Sequence, residues 1–207
     1  MVTTILVGMI ACYIMGNLNG AVCVSALMHD DVRKHGSGNA GLTNFIRNYG
    51  KARALYVVAI DAGKAVLACL AMGLLLGERG YYMEGVMLGG CAVMLGHVYP
   101  VLLGFKGGKG ILSGLFIALT ADWRIGLAIL AVFFIAYLPT KYVSLGSVLG
   151  ATAFGLGFAL LYQDNLVVVL CGLFMAALTI FMHRSNIVRL IKGTESKTNL
   201  FAKEKSR

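Results

Sequence analysis

Apolar residues in this chain come in runs too continuous for one helix face and too long for a strand. No charged residue falls between positions 3 and 28, and none between 142 and 163. At 1.5 Å of rise per residue, ~20 apolar residues cross a hydrocarbon core of ~30 Å as a helix. Breaks in hydrophobicity predict seven spans, at roughly 3–27, 54–77, 85–105, 110–121, 125–139, 142–162 and 165–182. The fourth and fifth are short for full crossings, so a tilted, broken or re-entrant path is expected there. Lipid offers no partner to backbone N–H and C=O groups, so spans of this kind close their hydrogen bonds as helices. The fold class that follows is all-α: a polytopic integral membrane protein of about seven helices, in a single membrane-embedded domain over 1–207.

Composition agrees. Of 207 residues, 58% are hydrophobic and 13% charged, against roughly 25% charged in an ordinary soluble domain; mean hydropathy is +0.81. Too few polar side chains are present to cover a globule, which argues against a soluble enzyme, a disordered tail or a nucleic-acid module. The five cysteines (Cys12, Cys23, Cys69, Cys91, Cys171) lie unpaired in apolar stretches and read as small hydrophobes, not as a disulfide framework or metal site. The apolar N-terminal run starts without a basic flank and reads as a retained first span rather than a cleaved leader. No repeat of 20–50 residues is visible.

Charge sets an orientation. The net charge is +9, from 18 Lys+Arg and 9 Asp+Glu. Fifteen of the 18 basic residues fall in alternate gaps and the tail: Arg33, Lys34, Arg47, Lys51, Arg53; Lys106, Lys109; Lys141; and Arg184, Arg189, Lys192, Lys197, Lys203, Lys205, Arg207. The other set of gaps holds only Arg79 and Arg124, and Lys64 lies within the second span. Lys and Arg accumulate in cytoplasmic loops, so the N-terminus is expected outside and the tail inside.

The polar motifs fall on that same basic side. The first runs Gly36-Ser37-Gly38-Asn39-Ala40-Gly41-Leu42-Thr43-Asn44-Phe45-Ile46-Arg47. Glycines bring backbone N–H groups close to an anion, Ser37, Asn39, Thr43 and Asn44 add neutral polar groups, and Arg47 adds a planar fork suited to phosphate. An ordinary turn-rich loop is the plainer reading. The second motif joins Gly96-His97-Val98-Tyr99-Pro100 to Phe105-Lys106-Gly107-Gly108-Lys109-Gly110. Gly-Gly-Lys-Gly has phosphate-loop composition without Walker A spacing. Pro100 is expected to kink the third span and bring His97 and Lys109 towards one cleft; for His97 alone, an interhelical hydrogen bond is the better reading than a catalytic base. The third motif, Lys141 to Ser147, puts Ser144 and Ser147 on one helix face. The fourth, His183-Arg184-Ser185-Asn186 through Arg189 to Gly193-Thr194-Glu195, has the look of a basic interfacial segment. Asp61 and Lys64 form an i, i+3 pair inside the second span, equally readable as structural glue or as a functional pair.

Together the four segments resemble the acyl-phosphate-dependent glycerol-3-phosphate acyltransferases, the PlsY type of bacterial integral-membrane enzymes. The resemblance runs from the first span to about Lys197. Three positions depart from the family pattern: Ala40 replaces a usual Pro, Gly16-Asn17-Leu18-Asn19 replaces Gly-Ser-Ile-Pro, and Ser113 replaces Thr. The resemblance implies transfer of a fatty acyl group from acyl phosphate to the 1-hydroxyl of sn-glycerol 3-phosphate, the first acylation of bacterial phospholipid synthesis, without acyl-CoA. It implies Ser37, Asn39, Arg47, Lys109, His183 and Asn186 as catalytic residues. Gly38, Thr43, Asn44, Gly107, Gly108, Gly110, Ser144, Ser147 and Glu195 would bind substrate. It further implies no cofactor or metal, a bacterial inner-membrane location with the site facing the cytoplasm, contact with membrane lipid, coupling to a soluble phosphate acyltransferase that makes acyl phosphate, and no nucleic-acid partner. The rival expectation is a transporter of an anionic lipid precursor, which would place its site near the midplane; a non-catalytic membrane scaffold leaves the motifs unexplained.

Overall fold

The computed structural model describes residues 1–200, and among these every regular element is helical. Lys203, Lys205 and Arg207 lie outside the described residues. In chain order the α-helices are α1 (Val2–Gly16), α2 (Gly20–Ala26), α3 (Leu42–Tyr49), α4 (Lys51–Gly77), α5 (Tyr82–Val98), α6 (Ile111–Ala121), α7 (Trp123–Thr140), α8 (Val143–Leu161), α9 (Leu166–Met182) and α10 (Arg184–Ile191); short 3-10 turns cover Val32–Lys34 and Val101–Leu103.

Four segments are each long and apolar enough to cross a membrane (α4, α7, α8, and α5 together with its following 3-10 turn, Tyr82–Leu103), and α1–α2 and α9–α10 are bent pairs, at 45° and 56°. The fourth expected span is the 11-residue α6, only about 17 Å long and too short to cross alone. The fifth is not short: α7 has 18 residues, from Trp123 to Thr140, with Pro139 accommodated in its last turn. Pro100 breaks the α-helix of the third span, which runs on to Leu103 as a 3-10 turn. Helix α5 stops at Val98, and Pro100 opens the separate 3-10 turn, because the residue before a proline leaves the α region.

Helix α5 forms the centre. Protein covers 67% of its apolar stretch, against 22% for α7, which turns most of its surface to lipid. Val86, Met87, Val93 and Met94 of α5 pack with Met72, Ile117, Phe158 and Met175 in the main core. The outward faces carry Leu67, Leu127, Ile135, Leu156 and Leu160, as expected where the solvent is hydrocarbon. Helices α1 and α5 cross at Gly16 and Gly96: a Cβ on Gly96 would sit 2.0 Å from the Tyr13 carbonyl oxygen. The approach is close enough to exclude every side chain.

The break between α1 and α2 is held by the buried charges of α4. Lys64 Nζ donates to the carbonyls of Gly16 (3.2 Å) and Leu18 (2.5 Å), which end α1. Asp61 Oδ1 accepts from the N–H of Gly20 (3.1 Å), which begins α2. Each charge meets the helix end of opposite partial charge, and the two pair at 2.8 Å. Asn17 and Asn19 complete the break. Asn17 Oδ1 accepts from Leu102 N–H and Asn19 caps α2 at Val22 N–H, both at 3.0 Å.

Candidate active site

One cavity of about 1040 Å³ gathers residues from all four motifs. The first motif reaches it through a loop that Asn44 organises. Asn44 is buried; its Nδ2 donates to the carbonyls of Val32, His35 and Asn39 (3.1, 3.0 and 3.1 Å), and its Oδ1 accepts from Ser37 N–H (3.0 Å). Its amide is therefore committed to shaping the loop. Ser37, Gly38, Asn39, Thr43, Asn44 and Arg47 all line the cavity.

Gly107 and Gly108 do not line it. The Gly108 N–H donates to the His97 carbonyl (3.1 Å), and a Cβ there would meet His97 Nε2 at 2.2 Å. Their lack of side chains lets the loop lie directly on α5, and this places Lys109 and Gly110 at the wall. His97 also lines the cavity, buried, with Nδ1 2.8 Å from Lys64 Nζ and 3.6 Å from Asp61 Oδ1. Its interhelical bond ties the second motif to the charge pair that bridges the first-span break.

Glu195 is the acceptor on which the third and fourth motifs converge. Its Oε1 accepts from Ser144 Oγ (2.8 Å) and Asn186 Nδ2 (2.7 Å), and its Oε2 from Arg189 Nε (2.6 Å). Burial raises its pKa, but these donors outweigh burial and hold the carboxyl below its ordinary value. Lys109 Nζ donates to Asn186 Oδ1. Burial, helped by the Arg189 charge, lowers Lys109 to about 8. His183 is buried at the α9–α10 bend, its Nδ1 2.8 Å from the Thr179 carbonyl oxygen. A carbonyl only accepts, so Nδ1 carries the hydrogen and neutral His183 keeps a lone pair on Nε2.

Backbone groups add to these side chains. The first turns of α3, α6, α8 and α10 all border the cavity, and none of the four has a side-chain cap among the described residues. Helices α1, α4 and α5 also lack a side-chain cap, whereas α2, α7 and α9 are capped by Asn19, Asp122 and Asn165. Uncapped first-turn N–H groups are donors without intrahelical partners and carry the positive end of the helix dipole. With Arg47, Lys109 and Arg189 they concentrate positive groups at this end of the cavity, an electrostatic setting that favours an anion. The remainder is apolar, walled by Leu55, Leu115, Ile129, Phe133, Phe154 and Met175.

Ser147 also lines the cavity. Sequence reasoning passed over Ser185 and Ser196 as site residues, although both are lining residues; Ser185 was legible within the fourth motif, and Ser196 had no local signal. Of the family departures, Ala40 is buried with its carbonyl accepting from Asn19 Nδ2 (3.0 Å). This bond ties the first-motif loop to the break between α1 and α2. Ser113 is fully buried, and its hydroxyl has no hydrogen-bond partner among the described residues.

The chain matches a family model described as glycerol-3-phosphate acyltransferase over residues 6–193. A protein of Thermoanaerobacter sp. (strain X514) named glycerol-3-phosphate acyltransferase is 41% identical over 189 residues, covering 91% of this chain and 92% of that one. One of the same name from Finegoldia magna is 40% identical over 190 residues, covering 91% and 93%. Crystal structures of PlsY, an integral membrane glycerol 3-phosphate acyltransferase, superpose with TM-scores of 0.83 (glycerol 3-phosphate form) and 0.82 (lysophosphatidic acid form). Both are 30% identical and cover 94% of this chain, with 96% and 95% of theirs. An all-helical membrane fold, four polar motifs meeting in one cavity and these matches place the chain in the glycerol-3-phosphate acyltransferase family of PlsY type.

Proposed function

We propose that the chain transfers a fatty acyl group from acyl phosphate to the 1-hydroxyl of sn-glycerol 3-phosphate, releasing 1-acyl-sn-glycerol 3-phosphate and inorganic phosphate. The observation that carries this reading is the two-part cavity. One part combines cations with four uncapped helix N-termini, and the other is walled by Leu, Ile, Phe and Met. Such a cavity suits one wholly polar phosphate ester and one acyl chain with an anionic head.

Both substrates carry phosphate, so the first task is charge neutralisation. Arg47 offers a planar donor fork, Lys109 a compact ammonium, and the helix N-termini preorganised N–H groups. The glycerol hydroxyl oxygen attacks the acyl carbonyl carbon. The bond from that carbon to the phosphate oxygen breaks, and inorganic phosphate departs with the electron pair. Acyl phosphate is a mixed anhydride, so positioning and charge stabilisation supply most of what the step needs. The hydroxyl proton passes to the departing phosphate or to His183 Nε2.

Attack is direct, without an acyl-enzyme. Ser144, a candidate nucleophile by position, donates to Glu195, whose carboxylate is shared with Asn186 and Arg189 and held below its ordinary pKa, which makes it a weak base for activating the hydroxyl. A trapped acyl-serine or acyl-cysteine species that turned over would overturn this step. The setting we propose is a bacterial inner membrane with the site facing the cytoplasm, where a soluble phosphate acyltransferase supplies the donor.

The test is acylation of glycerol 3-phosphate by the purified protein, with acyl phosphate and acyl-CoA supplied in parallel. Lysophosphatidate is expected from acyl phosphate alone, and is lost in Lys109→Ala. Product from acyl-CoA alone would move the chain to another donor class. No product from either donor, with folded protein confirmed, would overturn the reading.

A further inference from the structure

The family match ends at residue 193, but the cavity does not. Glu195, Ser196 and Leu200 line it from a non-helical segment that returns from α10 to the ends of α7 and α3. The segment is fastened at Thr198. Its N–H donates to the Lys141 carbonyl (2.9 Å), and its carbonyl accepts from Tyr137 Oη (2.9 Å). Tyr137 Oη in turn accepts from Leu200 N–H (2.7 Å). Tyr137 is fully buried and stacks on Phe133 of the cavity wall, with centroids 5.6 Å apart. A tyrosine enclosed in this way fixes the strap as firmly as it fixes α7.

The Thr198 hydroxyl meets Arg47. Nε donates to Oγ1 at 3.0 Å, Nη2 donates to the same oxygen, and Nη2 also reaches the Ser196 carbonyl at 3.5 Å. Among the described residues Nη1 makes no hydrogen bond. We propose that Thr198 is a positioning residue for the acylation: it grips the Nε–Nη2 edge of Arg47 and leaves Nη1 for the phosphate of glycerol 3-phosphate. A long arginine side chain on the exposed face of α3 has many rotamers to lose on binding. A strap that holds it beforehand lowers that cost. The inference rests on the acyltransferase reading and extends it to a residue beyond the family match.

The test compares the full-length chain with Thr198→Val, Thr198→Ser and Tyr137→Phe in the acyl phosphate assay, measuring kcat and KM separately. Valine keeps shape and both backbone bonds but removes Oγ1. It is expected to raise KM for glycerol 3-phosphate by about tenfold with a smaller change in kcat, as for loss of a hydrogen bond to a charged group. Serine restores the wild-type KM. Tyr137→Phe, which loosens the strap without touching Arg47, raises KM by roughly threefold. In an Arg47→Ala background, Thr198→Val adds no further loss, because its effect runs through that arginine. Wild-type turnover with an unchanged KM in Thr198→Val overturns the inference alone. So does a lowered KM, which would make the strap an obstruction, and so does a full additional loss in the Arg47→Ala background. A wild-type chain that yields no lysophosphatidate overturns the acyltransferase reading and this inference with it.

Discussion

At the scale of single residues, Lys109, the cation proposed to meet phosphate, carries a prediction about pH. Burial and the Arg189 charge lower its pKa to about 8, whereas an unperturbed lysine titrates near 10.4. A lysine is charged below its pKa, so the cation proposed to meet phosphate is present at neutral pH and lost as pH rises through about 8. The profile of kcat/KM reports the free enzyme. It is expected to fall above pH ~8, towards a tenfold loss per pH unit, while kcat falls at higher pH because bound phosphate stabilises the ammonium. Lys109→Arg, always protonated, is expected to remove the alkaline limb even if it lowers the plateau. A limb that persists unchanged in Lys109→Arg would assign it to another group.

At the scale of elements, the notable feature is that the first span is broken and the break is stitched to α4. Lys64→Met would leave Asp61 buried beside Gly20 with no ammonium, a change expected to cost about 3–5 kcal/mol. Adding Asp61→Asn removes the uncompensated charge and recovers part of that loss. Thermal unfolding in detergent of both single variants and the double variant measures the coupling; simple additivity would show that the charges do not act as a pair. The Asp61–Lys64 pair was legible as an i, i+3 pair on one helix, but its purpose was not. Around Asn17 and Asn19 the run from position 3 to 28 holds no charge and no proline, so periodicity showed one span. Helix α7 was underestimated for a related reason: Trp123 and Arg124 at its start look like loop until Asp122 is seen capping it. The four motifs were readable because each is local, a few residues at fixed spacing. The division of labour within them was not. Asn44 and Gly108 have the composition of ligand-binding residues and spend their capacity on the loop and on α5. The contact between Arg47 and Thr198, 151 residues apart, has no sequence signature.

At the scale of the whole molecule, the question is which way the bundle faces. The first turns of α3, α6, α8 and α10 border the cavity, at the end where twelve of the fifteen Lys and Arg among the described residues fall in the gaps and tail. Loops rich in Lys and Arg stay in the cytoplasm, so that end, and the site with it, is expected inside and the N-terminus outside. The opposite orientation would carry the basic loops across the membrane and present the site to a compartment away from the proposed cytosolic supply of acyl phosphate. An enzyme of this kind needs its site on one side only, whereas a transporter exposes its site to both in turn. Single cysteines at Lys34, Lys192, Arg79 and Asp164, all exposed positions, test both points in a background freed of the five native cysteines. Cysteines at 34 and 192 are expected to react with an impermeant maleimide only from the cytoplasmic face, and those at 79 and 164 only from the other. A fifth cysteine at Ser185, which lines the cavity, should follow the first pair, with glycerol 3-phosphate slowing its labelling. Labelling of position 185 from both faces would favour alternating access, and reversal of the whole pattern would overturn the orientation while leaving the chemistry of the cavity intact.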